Sequence, residues 1–144
     1  MMDLAEALEF SSYASRLRAA QPELFAAVTA ALDRPFIVSA DDAAALQRAS
    51  DPGSLAVLLR KLRQRVFLGT LLRDLTGRAN LLEVCAATTG LADVATSVTV
   101  AAHQRWLAEA HGNPVAADGT AQELIVVGMH TRARSSCPTH SSRR

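Results

Sequence analysis

The side chains most able to do chemistry here are a basic cluster, an acidic pair, two spaced histidines and a Cys/His-bearing tail. Arg60, Lys61, Arg63 and Arg65 crowd one short stretch. A phosphate or polynucleotide surface wants such a run, but the water-facing side of an amphipathic helix has the same composition, and solvated or salt-bridged cations are the reading adopted. Asp41 and Asp42 are adjacent acids of the kind that hold a divalent ion. They follow Ser39, where the first turn of a helix should lie, and carboxylates there offset the macrodipole without any catalytic role. His103 and His111 are two turns apart on a helix, too distant for one metal, and no Cys or carboxylate is spaced to complete a set. His130, Cys137 and His140 make a ligand-like trio, but four nearby arginines repel a cation and a fourth ligand is missing. No Ser/His/Asp order, no G-x-S-x-G and no phosphate-binding G-x-x-x-x-G-K-[ST] occurs. These residues yield no catalytic group and no metal ligand.

Composition narrows the class further. A hydrophobic content of 49% excludes global disorder. No apolar run is long enough to span a membrane, and "MMDLAEALEF" carries acids where a secretory signal carries positive charge. A cytoplasmic protein with no membrane partner is expected. The net charge of +1 conceals an asymmetry: 11 basic residues stand against 14 acidic ones before position 130, and four arginines with no acid follow it. An acidic body argues against a nucleic-acid partner. Cys85, in "LLEVCAATTG", reads as a buried, inert thiol, and with Cys137 it makes no disulfide framework.

The elements that would position these residues are mainly helical, about five helices followed by one strand. Residues 3–20 place Leu4, Leu8, Tyr13 and Leu17 at helical spacing. Pro22 suits the first turn of a second helix that runs to Arg34, where Pro35 stops it. Ser39 caps a short third helix after an extended link. Residues 54–76 form the strongest helix, with Leu55, Leu58, Leu59, Leu62 and Val66 on a stripe continued by Leu72 and Leu75. Asn80 caps a long helix from Leu81 to about Ala110, with Leu91, Val94, Ala95, Val98, Ala102 and Trp106 on one face, and Gly112 and Pro114 end it. After a loop, "ELIVVG" is the one strand expected, and a lone strand leaves its backbone groups unpaired.

The stretch "LLRKLRQRVFLGTLLRDLTGRANLLEV" resembles the helical region before the catalytic core of bacterial glutamine synthetase adenylyltransferase (glutamate–ammonia-ligase adenylyltransferase). The similarity rests on Leu62, Arg63, Arg65, Arg73, Asp74 and Leu75, then Leu91, Ala92 and Asp93, then "ELIVVGM" from Glu123 to Met129. "SSYASRLRAAQPELF" extends it, so that it covers nearly all of residues 8–129. The resemblance implies a nucleotidyltransferase family that moves AMP from ATP to a tyrosine of glutamine synthetase and removes it by phosphorolysis. It also implies ATP and Mg²⁺ as cofactors of the intact family, with glutamine synthetase and a PII-type regulator as partners. Gly128 would begin the family's nucleotide turn, whose backbone amides approach the phosphates.

Beyond Gly128 and Met129 the sequence departs from the family. The Gly-Lys-Leu-Gly-Gly expected by resemblance is replaced by "HTRAR", and no Asp or Glu follows Glu123. The expectation is thus an α-helical lead-in over residues 1–112 and a loop with the first strand of an incomplete α/β nucleotidyltransferase core over 113–129. Residues 130–144 read as a basic, disordered tail, either translated out of frame or a natural extension unrelated to the family. Such a chain is inactive alone and needs no cofactor of its own. The alternative reading is a standalone helical protein-interaction module.

Overall fold

The computed structural model describes residues 2–127, so the turn expected at Gly128, the His130/Cys137/His140 trio and the expected disordered tail lie outside the described residues. Six helices occupy the described residues: α1 (Leu4–Phe10), α2 (Ser12–Ala20), α3 (Pro22–Ala30), α4 (Ala40–Gln47), α5 (Pro52–Leu75) and α6 (Leu81–His111). The mainly helical class holds, with one helix more than the sequence suggests.

The extra helix comes from a break at Ser11. Its backbone is extended, its N–H closes α1 on Ala7 O, and its Oγ accepts from Ala14 N to open α2. Serine competes with helical backbone bonding in this way wherever a turn is available. Asp3 and Glu6 form a capping box for α1. Pro22 begins α3 as expected, but the helix ends at Ala30, short of Arg34, and tighter i→i−3 bonds carry the chain through Leu32 and Arg34. Ser39 and Asp42 make the capping box of α4, and Asp51 and Ser54 that of α5.

Helix α5 serves two cores on opposite sides. Leu55, Leu62 and Val66 join Leu46 and Ala49 and the Ala87, Val98 and Ala102 face of α6. Leu68 and Leu72 instead join Ala7, Leu8, Ala14, Leu17, Val28 and Leu32 from α1 to α3 and the turn after them. Leu72 and Leu75 therefore do not continue the Leu55–Val66 stripe. At 3.6 residues per turn, six and nine positions beyond Val66 point well away from it, and both residues pack against the first core.

The α5 C-terminus is a Schellman motif: Gly77, at φ 67°, donates to Asp74 O, and Arg78 N donates to Arg73 O. Asn80 Oδ1 then accepts from Glu83 N and starts α6, and Gly112 at φ 82° ends it. Helix α6, at 31 residues, is long and apolar enough to cross a membrane by length and composition alone. That corrects the expectation that no such segment exists. Its hydropathy is distributed over Ala and Val interrupted by Thr and Ser, so no single unbroken run announces it.

Cys85 is exposed, not buried. The sequence context is apolar, but α6 turns Cys85 well away from the buried Ala87 and Val98.

The described residues from Pro114 onward belong to a second unit. Val115 and Ala121 make an isolated antiparallel bridge around a turn at Ala116–Gly119, with Gly119 at φ 82° and Asp118 Oδ1 accepting from Thr120 N. No strand is formed among the described residues. The run expected to be one, Leu124–Val127, is 54–81% exposed, and β-structure at this point requires a neighbour to take its backbone bonds.

Candidate functional site

The one cofactor-binding residue expected by resemblance, Gly128, lies outside the described residues. What is described is its approach, the Pro114–Gln122 turn followed by Glu123–Val127. Ala116 N donates to Thr120 O and Gln122 N to Pro114 O, so a minimal hairpin feeds an apolar segment that carries no donor or acceptor side chain after Glu123.

Among the described residues, a buried polar cluster that ties the helices together is centred on Arg73, which is 5% exposed. Its Nε donates to Glu83 Oε1 at 2.6 Å and its Nη2 to Glu83 Oε2 at 3.0 Å, a fork-on-fork ion pair between the end of α5 and the first turn of α6. Nη1 donates to Leu32 O after α3, and Nη2 also to Arg78 O in the α5–α6 connection. A single guanidinium thereby satisfies carbonyls in two connections and fixes the start of the long helix. The hydrogen bonds from Arg73 hold the Glu83 carboxyl below its ordinary value, and the same bonds push the Arg73 guanidinium above its own. The role of Arg73 was not assigned from sequence, though a signal existed. Arg73 falls seven residues after Val66, back on the Leu55–Leu62–Val66 stripe, and an arginine on a buried stripe must find a partner.

The other residues singled out from sequence separate into ordinary roles. Of the basic cluster, Arg65 pairs with Asp42 at 2.5 Å, while Arg60, Lys61 and Arg63 are exposed. Burial raises the Asp42 carboxyl, but its hydrogen bonds from Ser39 and Arg65 outweigh that and leave it below its ordinary value. Asp42 is thus a cap and an ion-pair partner, and Asp41 stays exposed in the same first turn. His103 hydrogen-bonds Thr99 O and stacks edge-on to Trp106, whose ring also lies under Arg105. A cleft of about 700 Å³ between the start of α3, α4 and α5 is walled by Glu23, Asp42, Lys61, Gln64 and Arg65. Both charge signs line it, so its field selects neither anion nor cation.

Among the described residues no three His, Cys, Asp or Glu side chains come together to hold a metal ion. Mg²⁺ wants octahedral oxygen ligands, usually one or two carboxylates. Asp3, Asp42, Asp51 and Glu83 are already engaged in caps or ion pairs. These residues do not fit a magnesium site, and no step of nucleotidyl transfer can be routed through them.

The helices thus form two cores that share α5, with the Arg73–Glu83 ion pair joining the end of α5 to the start of α6. The chain belongs to the glutamate–ammonia ligase adenylyltransferase family, whose sequence model matches residues 1–131. It is 41% identical over 135 residues to the bifunctional glutamine synthetase adenylyltransferase/adenylyl-removing enzyme of Bordetella pertussis, covering 87% of this chain and 14% of that protein. The enzyme of the same name from Chromobacterium violaceum is 38% identical over 128 residues, covering 88% and 14%. That from Aromatoleum aromaticum is 33% identical over 126 residues, covering 88% and 13%. The chain thus spans about one-seventh of the length of these relatives. No solved structure matches it.

Proposed function

We propose that this chain is the helical lead-in of an enzyme that adenylylates and deadenylylates glutamine synthetase, and that it performs neither reaction alone. The observation that carries the proposal is the family match over residues 1–131 in a chain with no acid beyond Glu123. Nucleotidyl transfer relies on metal ions to neutralise charge developing on the phosphates, and among the described residues no three acids, histidines or cysteines come together to hold one. In the intact family ATP and Mg²⁺ would serve the core that follows, Gly128 would begin its phosphate-approaching turn, and a PII-type protein would regulate the balance in the cytoplasm. The contribution of residues 4–111 is mechanical: the Arg73–Glu83 clamp fixes the start of α6 against the end of α5.

Incubating the purified chain with ATP, Mg²⁺ and glutamine synthetase is expected to yield no AMP-tyrosine on intact-mass analysis. Appearance of the adduct would overturn the argument from the missing carboxylates.

A second reading, an independent helical interaction module, is favoured by the two closed cores on either side of α5. Under that reading residues 1–113 unfold in one cooperative transition and remain monodisperse when expressed without the exposed Leu124–Val127 run.

A further inference from the structure

Between α5 and α6 lies a groove of about 450 Å³. Leu59, Phe67, Leu91 and Ala95 form its apolar floor, and Arg60 and Arg63 stand along one rim. Phe67 is 42% exposed, yet it is held in place from behind by Tyr13, edge-on with ring centroids 5.8 Å apart. No carboxylate lines the groove. The ion pairs among the described residues use Arg65, Arg73 and Arg78 and leave Arg60 and Arg63 without an acidic partner.

From this arrangement we infer that the α5–α6 groove receives an acidic amphipathic helix of a partner protein. Three features converge on that occupant. The walls are two helices, so a third seats by laying its apolar ridge between them. The floor is apolar and partly pre-arranged by Tyr13, which reduces the ordering cost of insertion. Arg60 and Arg63 are one turn apart on α5, matching Asp or Glu residues three or four apart along a guest helix. A flat anionic bilayer would meet the arginines but could not fill the concave floor, and a nucleic-acid backbone has nothing to place on Leu59, Phe67 and Leu91.

The test uses the full chain and a fluorescein-labelled helical peptide with leucines on one face and glutamates along one flank, read by anisotropy. Its controls are a twin with lysines in place of the glutamates and vesicles containing phosphatidylglycerol. Saturable binding of the glutamate peptide is expected, with Kd raised about tenfold or more by R60E/R63E, and with partial recovery when that variant meets the lysine twin. F67A should weaken binding of the glutamate peptide, with circular dichroism confirming that each variant stays folded. Absence of binding, equal binding of both peptides, or indifference to R60E/R63E overturns the inference. So does vesicle capture that the glutamate peptide cannot compete away, or self-association of the chain abolished by F67A, since each would assign the groove to a different occupant.

Discussion

Gly69 sits inside α5, where alanine should be better than glycine by about 1 kcal/mol because it restricts the unfolded backbone. The packing reverses that sign. A Cβ built at Gly69 would lie 2.2 Å from Phe36 Cγ and 2.3 and 2.5 Å from its two Cδ atoms. The nearest atom is the root of the ring, not its far end, so the ring cannot swing clear by turning about its own axis. Phe36 must change χ1 or the link after Pro35 must move, and Phe36 packs against the first core. Overpacking of this kind costs about 1–3 kcal/mol, and the larger part of that range applies to backbone-proximal overlap. Set against the propensity gain, Gly69→Ala should destabilise the protein by about 1–2 kcal/mol, lowering the melting temperature by about 3–8 °C. Thermal melts followed by far-ultraviolet circular dichroism measure it. The decisive comparison is a double-mutant cycle: in a Phe36→Ala background the same Gly69→Ala change should become neutral or stabilising by up to about 1 kcal/mol. If Gly69→Ala raises the melting temperature in the native background, the Phe36 contact does not exist as described and the reasoning fails.

Arg73→Lys keeps the charge but loses the fork and at least one of the two carbonyl contacts, so a loss of about 2–4 kcal/mol is expected from urea denaturation; a loss under about 0.5 kcal/mol, the size of an ordinary surface change, would refute the clamp. The Glu83 carboxyl is held below its ordinary value by Arg73, so its contribution is present above that ordinary value, about pH 4.3, and disappears as pH falls through the lower folded value. Urea midpoints should therefore decline between about pH 5 and 3, less steeply in Glu83→Gln, and an identical slope in the two proteins would contradict the assignment. Cys85 in a Cys137→Ser background should titrate with Ellman's reagent in the native state as readily as an accessible thiol, whereas protection until unfolding would restore the buried reading.

Much of the fold was legible because it depends on neighbours in sequence. Ser39, Pro22, Asn80 and Gly112 announce helix ends through capping groups, ring geometry and positive φ, all of which act within one turn. The break at Ser11 was harder to read, since "FSSYA" is compatible with a continuous helix and the interruption is fixed only when α1 and α2 both pack into the first core. Of the site expected by resemblance, the strand over Glu123–Val127 does not form among the described residues, because no neighbour takes its backbone bonds, and Gly128 lies outside them.

Local patterning determined the helices and their caps, together with membership of the family. Tertiary structure decided the partnerships across sequence. It split α5 between two cores, placed Arg73 against Glu83 and Leu32 O, turned Cys85 outward, and left Leu124–Val127 without strand partners. The physical reason is that helical periodicity specifies which residues share a face, whereas the surface that covers each face is set by packing between distant segments.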